Sequence, residues 1–194
     1  KTKTGIVNLL FLLGADRPDV DVGLIEIFAR NIGIAFENLQ LLDTLDHTQR
    51  EIVYRLGEAV EGRSEETGNH VKRVAKISKL LAKAYGLDAQ ECNVIEYASP
   101  LHDVGKIVIP DSILKKPDML DDDECEIMKS HAQKGADMLA GSDQLVIKAA
   151  ALIAGEHHEK WDGSGYPAGK SGEDINILAR ITAVADVYDA VSSP

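Results

Sequence analysis

The chain begins with an apolar run at residues 6–13, closed by Gly14, Asp16, Arg17 and Pro18, a pattern that predicts a buried strand ending in a turn. From residue 22 to 60 the period changes. Val22, Ile25, Phe28, Ile32, Phe36, Leu39, Leu42 and Leu45, then Ile52, Val53, Leu56 and Val60, recur at helical spacing without an internal proline. This predicts a connecting helix, or a helix pair, whose apolar stripe packs against a partner; the reading adopted is a second copy of the chain, in a homodimer.

The remainder reads as almost wholly helical. Residues 71–85 carry an apolar stripe that stops at Gly86. Asp88 is placed to cap a helix reaching about residue 101. Residues 111–117 read as a loop, and the acidic run Asp121, Asp122, Asp123, Glu124 precedes a helix over 126–139. Such a run serves a helix start, since the glycine required by a calcium loop is missing. Residues 143–158 and 177–191 complete the set as two more helices.

Composition narrows the function. A formal charge of -11 opposes binding to a nucleic acid polymer, where Lys and Arg must displace counterions. Small phosphorylated ligands remain compatible with it if metal ions supply local positive charge. No apolar run approaches the length of a membrane span, and Cys92 and Cys125 stand in no metal-binding spacing, so a reduced, cytoplasmic setting without membrane contact is expected. The chain starts at Lys1 and stops at Pro194 directly after a patterned segment, and so reads as a piece of something longer.

The candidate chemistry lies in the histidines. Of six, only His47 stands apart from other ligand-type residues. Glu66 and His70 are four apart, which on a helix puts carboxylate and imidazole on one face. His102 and Asp103 end an apolar stretch, where a polar pair needs a partner to offset its desolvation. His131 and Asp186 are set in helical segments, Asp186 among small apolar residues. Adjacent His157 and His158 would point about 100° apart on a helix, and so would serve different ions of one cluster. Each alone fits a satisfied core residue. Together, five histidines and three carboxylates exceed a tetrahedral zinc set and suit six-coordinate iron or manganese. "AGKSG" at 168–172 is a loop and no phosphate-binding motif, because Ser164 occupies the place of its first glycine.

In this order, His102-Asp103 with "VGK", His131, "HHEKWDGSGYP" and "ADVYDA", spread over 50–194, resemble the HD-GYP family of cyclic di-GMP phosphodiesterases. The resemblance implies an all-α HD-domain helical bundle at 50–194, preceded by connecting and dimerisation helices at 22–62 and, at 1–21, a short strand remnant of an upstream domain. It implies that Glu66, His70, His102, Asp103, His131, His157, His158 and Asp186 hold two or three divalent ions, iron or manganese, with Asp103 bridging. Lys106 matches the family's phosphate-contacting lysine, and Gly165, Tyr166 and Pro167 form the loop that shapes the site wall and a surface for protein partners. Asp189 is left outside the ligand set, as a group that could support a ligand. The implied reaction is hydrolysis of cyclic di-GMP to pGpG or GMP, as the output of a response regulator; residues 1–48 resemble the end of a domain that, in some response regulators, sits between a phosphorylatable receiver and the HD-GYP domain. Two alternatives remain open: the same chemistry on 3′,3′-cyclic GMP-AMP, and a non-catalytic nucleotide- or partner-binding module. The family's Arg-Pro-Tyr-Lys stretch, which helps bind substrate phosphates, is not within this sequence.

Overall fold

A computed structural model describes residues 22–64 and 69–192, and the expected strand at 6–13 lies outside them. Among the described residues every regular element is helical: α1 (Val22–Glu61), α2 (Asn69–Tyr85), α3 (Ala89–Ala98), α4 (Asp111–Leu114), α5 (Asp122–Leu139), α6 (Leu145–Glu156) and α7 (Ile177–Ser192). Short 3-10 segments cover Ser99–Leu101, Val104–Val108 and Gly172–Asp174. No helix among the described residues is long and apolar enough to cross a membrane.

The chain divides into two units, residues 1–50 and 51–194. The first holds α1 up to Arg50 and exposes Leu24, Phe28, Leu39 and Leu42, each more than half accessible.

The second unit is built on close helix contacts. Its core joins Val60, Ala82, Cys92, Ile95, Ala98, Leu101, Val104, Ala149, Ala150, Ile153 and Ile181. Alanines at these contacts keep the helices near one another, and α6, apolar along most of its length, is the element most enclosed by its neighbours. A second cluster packs Tyr54 against Val71 and Ala75. At Gly57 a Cβ would press on the carbonyl oxygen of Pro100, so glycine lets α1 cross the 3-10 segment that leads to His102.

Local chemistry explains where these helices start. Asp88 and Glu91 form a capping box on α3, and Asp121 and Glu124 form another on α5. The acidic run therefore corrects the expected boundary: Asp121 is the cap, and Asp122, Asp123 and Glu124 occupy the first turn, where carboxylates favour the positive end of the helix. Residues 111–114, expected as loop, form one helical turn. Helix α6 ends at Glu156, short of the expected 158, which matters for the site.

Gly105 sits where the Val104–Val108 segment lies on α5, and a Cβ there would overlap the His131 carbonyl and crowd the Gly135 amide. Both obstacles are backbone and cannot rotate away. Gly105→Ala is expected to cost about 3 kcal/mol and lower Tm by roughly 6–12 °C, read by calorimetry. An unchanged Tm would show that the segment is free to lift from α5.

Candidate metal centre

Four elements and two turns bring the histidines together. His70 begins α2, His102 follows the Ser99–Leu101 segment, His131 lies on α5, and His157 and His158 follow the end of α6. His70, His102, His131 and His157 are buried.

In each of these four, Nδ1 is already engaged. His102 Nδ1 donates to the Ser99 carbonyl at 2.9 Å and His131 Nδ1 to Met128 at 2.7 Å. His157 Nδ1 donates to Ile153 and Ala154 at 3.1 and 3.0 Å. His70 Nδ1 donates to Asp189 Oδ2 at 2.6 Å. A carbonyl only accepts, so the proton sits on Nδ1 and the lone pair of the neutral ring on Nε2.

The Nε2 atoms converge on two carboxylates. Asp103 Oδ1 lies 3.1 Å from His131 Nε2 and 3.5 Å from His157 Nε2, and Asp103 Oδ2 lies 3.4 Å from His102 Nε2. Asp186 Oδ1 lies 3.1 Å from His70 Nε2 and 3.8 Å from His102 Nε2. Nε2 of His102, His131 and His157, with Asp103 Oδ1, are buried and make no hydrogen bond. Acceptors facing acceptors away from water require positive charge between them, as protons or as metal.

The titration behaviour reflects that demand. A hydrogen bond to Asp186 outweighs burial and lifts His70 to about 9. Burial opposes protonation of His102, yet the charge of Asp103 prevails and raises it to about 10. Asp103 is held well below the carboxylate range, against its burial, chiefly by the charge of His102. Burial pushes His157 down and His158 down to about 3.

The donors form two groups, each with atoms close enough for one ion: Asp103, His131, His157 and His158, and Glu61, His70 and His102. Nitrogen and oxygen donors in this number fit a divalent metal. His157 and His158 thus depart from the expected divergence. His157 caps α6 with helical φ and ψ, its amide still bonded to the Ile153 carbonyl, and His158 lies in the turn that follows; their ring centroids come within 4.0 Å, in a single group.

Lys106 Nζ lies 2.7 Å from Asp103 Oδ2, with its side chain largely buried. Tyr166 stacks on His158 with centroids 4.6 Å apart, and burial, then the charge of Asp103, pushes its phenol up to about 12. Gly165 passes so close to the Glu159–Lys160 backbone that a Cβ would collide with it, and the Tyr166–Pro167 bond is cis. Trp161 is largely exposed beneath Arg180, and Asp162 accepts from Ser164 N and Oγ within the loop. Glu66 lies outside the described residues.

Several supporting residues escaped the sequence pattern. Glu61, 1% exposed, lies 3.9 Å from His70 Nε2. Arg73 grips Asp189 through Nε at 2.5 Å and a terminal nitrogen at 2.8 Å, fixing the carboxylate that orients His70. Glu156 accepts from Asn176 N and Lys170 Nζ, and Glu159 from Ala168 N, which anchors the loop on both sides of its tyrosine. The one available signal was the pair of glutamates flanking His157 and His158.

The chain is 51% identical over 190 residues to the 3'3'-cGAMP-specific phosphodiesterase 2 of Vibrio cholerae, covering 97% of this chain and 36% of that protein. It is 46% identical over 155 residues to the cyclic di-GMP phosphodiesterase response regulator RpfG of Xanthomonas campestris, covering 80% and 41%. The chain therefore spans well under half the length of these relatives. A cyclic GMP-AMP specific phosphodiesterase of V. cholerae, V-cGAP3, of solved structure, shares the fold at a TM-score of 0.56 and 20% identity, over 73% of this chain and 40% of that one. Residues 55–194 match the HD domain model, and that span holds both donor groups and the tyrosine loop in the HD-GYP order: the chain belongs to the HD domain family.

Proposed function

We propose that this chain is the catalytic portion of a metal-dependent cyclic dinucleotide phosphodiesterase, hydrolysing cyclic di-GMP to pGpG or GMP. The observation that carries the reading is the set of buried Nε2 atoms turned toward Asp103, with an ammonium group at its edge. The proposed ligands are Glu66, His70, His102, Asp103, His131, His157, His158 and Asp186, joined by Glu61, with two or three ions of iron or manganese. Divalent ions held there would activate water near neutral pH and offset charge on phosphoryl oxygens.

The chain's own groups perform the rest. Carbonyls and Asp189 hold the imidazoles in one tautomer and one orientation, so little reorganisation is needed when a substrate arrives. Lys106 presents its ammonium to a phosphate oxygen, and Asp103 keeps it in place. Tyr166 backs His158 and forms the wall of the site. In an assay with Mn²⁺ or Fe²⁺, cyclic di-GMP should be consumed. Bound metal without turnover, or an empty site, would instead favour a non-catalytic module.

A second substrate, 3′,3′-cyclic GMP-AMP, is favoured by the 51% identical relative named for it. The donor groups define a phosphate site and leave base preference open, so parallel assays with both nucleotides decide.

The proposal extends to assembly: residues 22–62 link an upstream domain, whose end is 1–21 and which follows a receiver, to the phosphodiesterase domain at 50–194. The apolar residues exposed along α1 support a parallel homodimer through this segment. Phe28→Glu with Leu42→Glu is expected to convert a dimer to a monomer by light scattering. A wild-type chain that is monomeric at high micromolar concentration would overturn the assembly. The Gly165, Tyr166, Pro167 loop is the proposed docking surface for protein partners.

A further inference from the structure

Two residues beyond the end of α1, Arg63 reaches across 43 to 48 positions of sequence to the segment that carries Lys106. One terminal nitrogen donates to the Lys106 carbonyl at 2.9 Å and the Ile107 carbonyl at 2.7 Å. The other donates to the Ile109 carbonyl at 3.1 Å and to Asp111 Oδ1 at 2.5 Å. These carbonyls belong to the last turn of the Val104–Val108 3-10 segment and the residue after it; that of Lys106 also accepts from the Ile109 amide at 3.1 Å.

We propose that Arg63 is a positioning residue for Lys106: its guanidinium clamps the backbone of residues 106–109 so that the Lys106 ammonium stays at the edge of Asp103. The other side of the segment is fixed by Gly105 against α5, and the lysine side chain by its ion pair, while Arg63 anchors the lysine's own carbonyl from outside the segment. Its ion pair with Asp111 is not what matters. Asp111 is well exposed, and such pairs are weak in water. The carbonyl contacts need a planar fork that serves several acceptors at once, which lysine lacks.

The kinetic arm of the test rests on the proposed phosphodiesterase reading, and the exchange arm does not. Hydrogen exchange over 104–111 should accelerate at least about tenfold in Arg63→Ala and by an intermediate amount in Arg63→Lys, with α6 unchanged. With either cyclic dinucleotide and Mn²⁺, Arg63→Ala should lower kcat/KM about tenfold, Lys106→Ala more, and the double variant no further than Lys106→Ala, because both act through one ammonium. Metal content should stay at the wild-type value. Unaltered exchange in Arg63→Ala, or losses that multiply in the double variant, would overturn the proposal. Should Arg63→Ala fail to fold, wild-type exchange in Arg63→Lys would overturn it equally. A wild-type protein that turns over neither nucleotide rejects the phosphodiesterase reading alone, and the exchange result then decides for Arg63.

Discussion

Asp103→Ala is expected to reduce cyclic dinucleotide hydrolysis by roughly 10²–10⁴-fold and to release most of the bound metal, while far-UV circular dichroism stays unchanged. Asp103 is the carboxylate shared by Nε2 of His102, His131 and His157 and by Lys106 Nζ, so its removal leaves one donor group without its oxygen and four cationic or metal-facing nitrogens without their anion. Asp103→Asn keeps the shape and removes the charge. An equal loss there assigns the effect to charge. Elemental analysis and initial rates measure both variants, and wild-type metal content with wild-type rates in Asp103→Ala would reject the centre.

In chelated protein the same residue sets a pH dependence. His102, raised to about 10, contributes stability that is complete below its unfolded value near 6.5 and is lost as pH rises toward 10. Asp103, depressed, contributes above its unfolded value near 3.9 and loses its contribution as pH falls further. The pair therefore stabilises the metal-free chain most between about pH 4 and 6.5. Denaturant midpoints across pH should show this window in the wild type and not in Asp103→Ala.

Asp189→Ala is expected to weaken metal binding at the His70 group by about 10–100-fold and to lower the metal count by about one per chain, leaving the Asp103 group loaded. Asp189 holds His70 Nδ1 and is itself locked by two nitrogens of Arg73. Without it the imidazole is free to turn and to change tautomer, and Arg73 loses a buried partner. Its own carboxyl is kept ionised chiefly by the Arg73 bond, so Asp189→Asn, which still accepts from Nδ1, should lose less. Calorimetric titration with Mn²⁺ separates the two. Identical metal affinity in Asp189→Ala and wild type would mean that His70 needs no support.

Much of this protein was legible without coordinates. The start of α3 was written in Asp88, because capping is local chemistry, whereas the acidic run at 121–124 marked a helix start that the expected boundary of 126 placed too late. The donors His70, His102, Asp103, His131, His157 and His158 announced themselves by type, as polar groups set in or beside apolar helical runs that would be costly to bury unpartnered. The ordered spacing of those words also carried the family.

What the tertiary structure alone decided concerns groups brought together by helix crossings. Glu61 precedes His70 by nine positions, and the sequence between them offers Glu65 and Glu66 as competing acids, so no helical period singles it out. Asp189 meets His70 across 119 positions, and Arg63 meets the Lys106 carbonyl across 43. The meeting of His157 with His158 depended on the turn the chain takes at the C-terminal cap of α6. Sequence period reports what lies on one face of one helix, since it reflects a local rise and turn. Which faces then meet depends on packing many side chains at once, here on alanine contacts and on Gly57 and Gly105, whose missing Cβ atoms let backbones approach and draw the donors within reach of a shared ion.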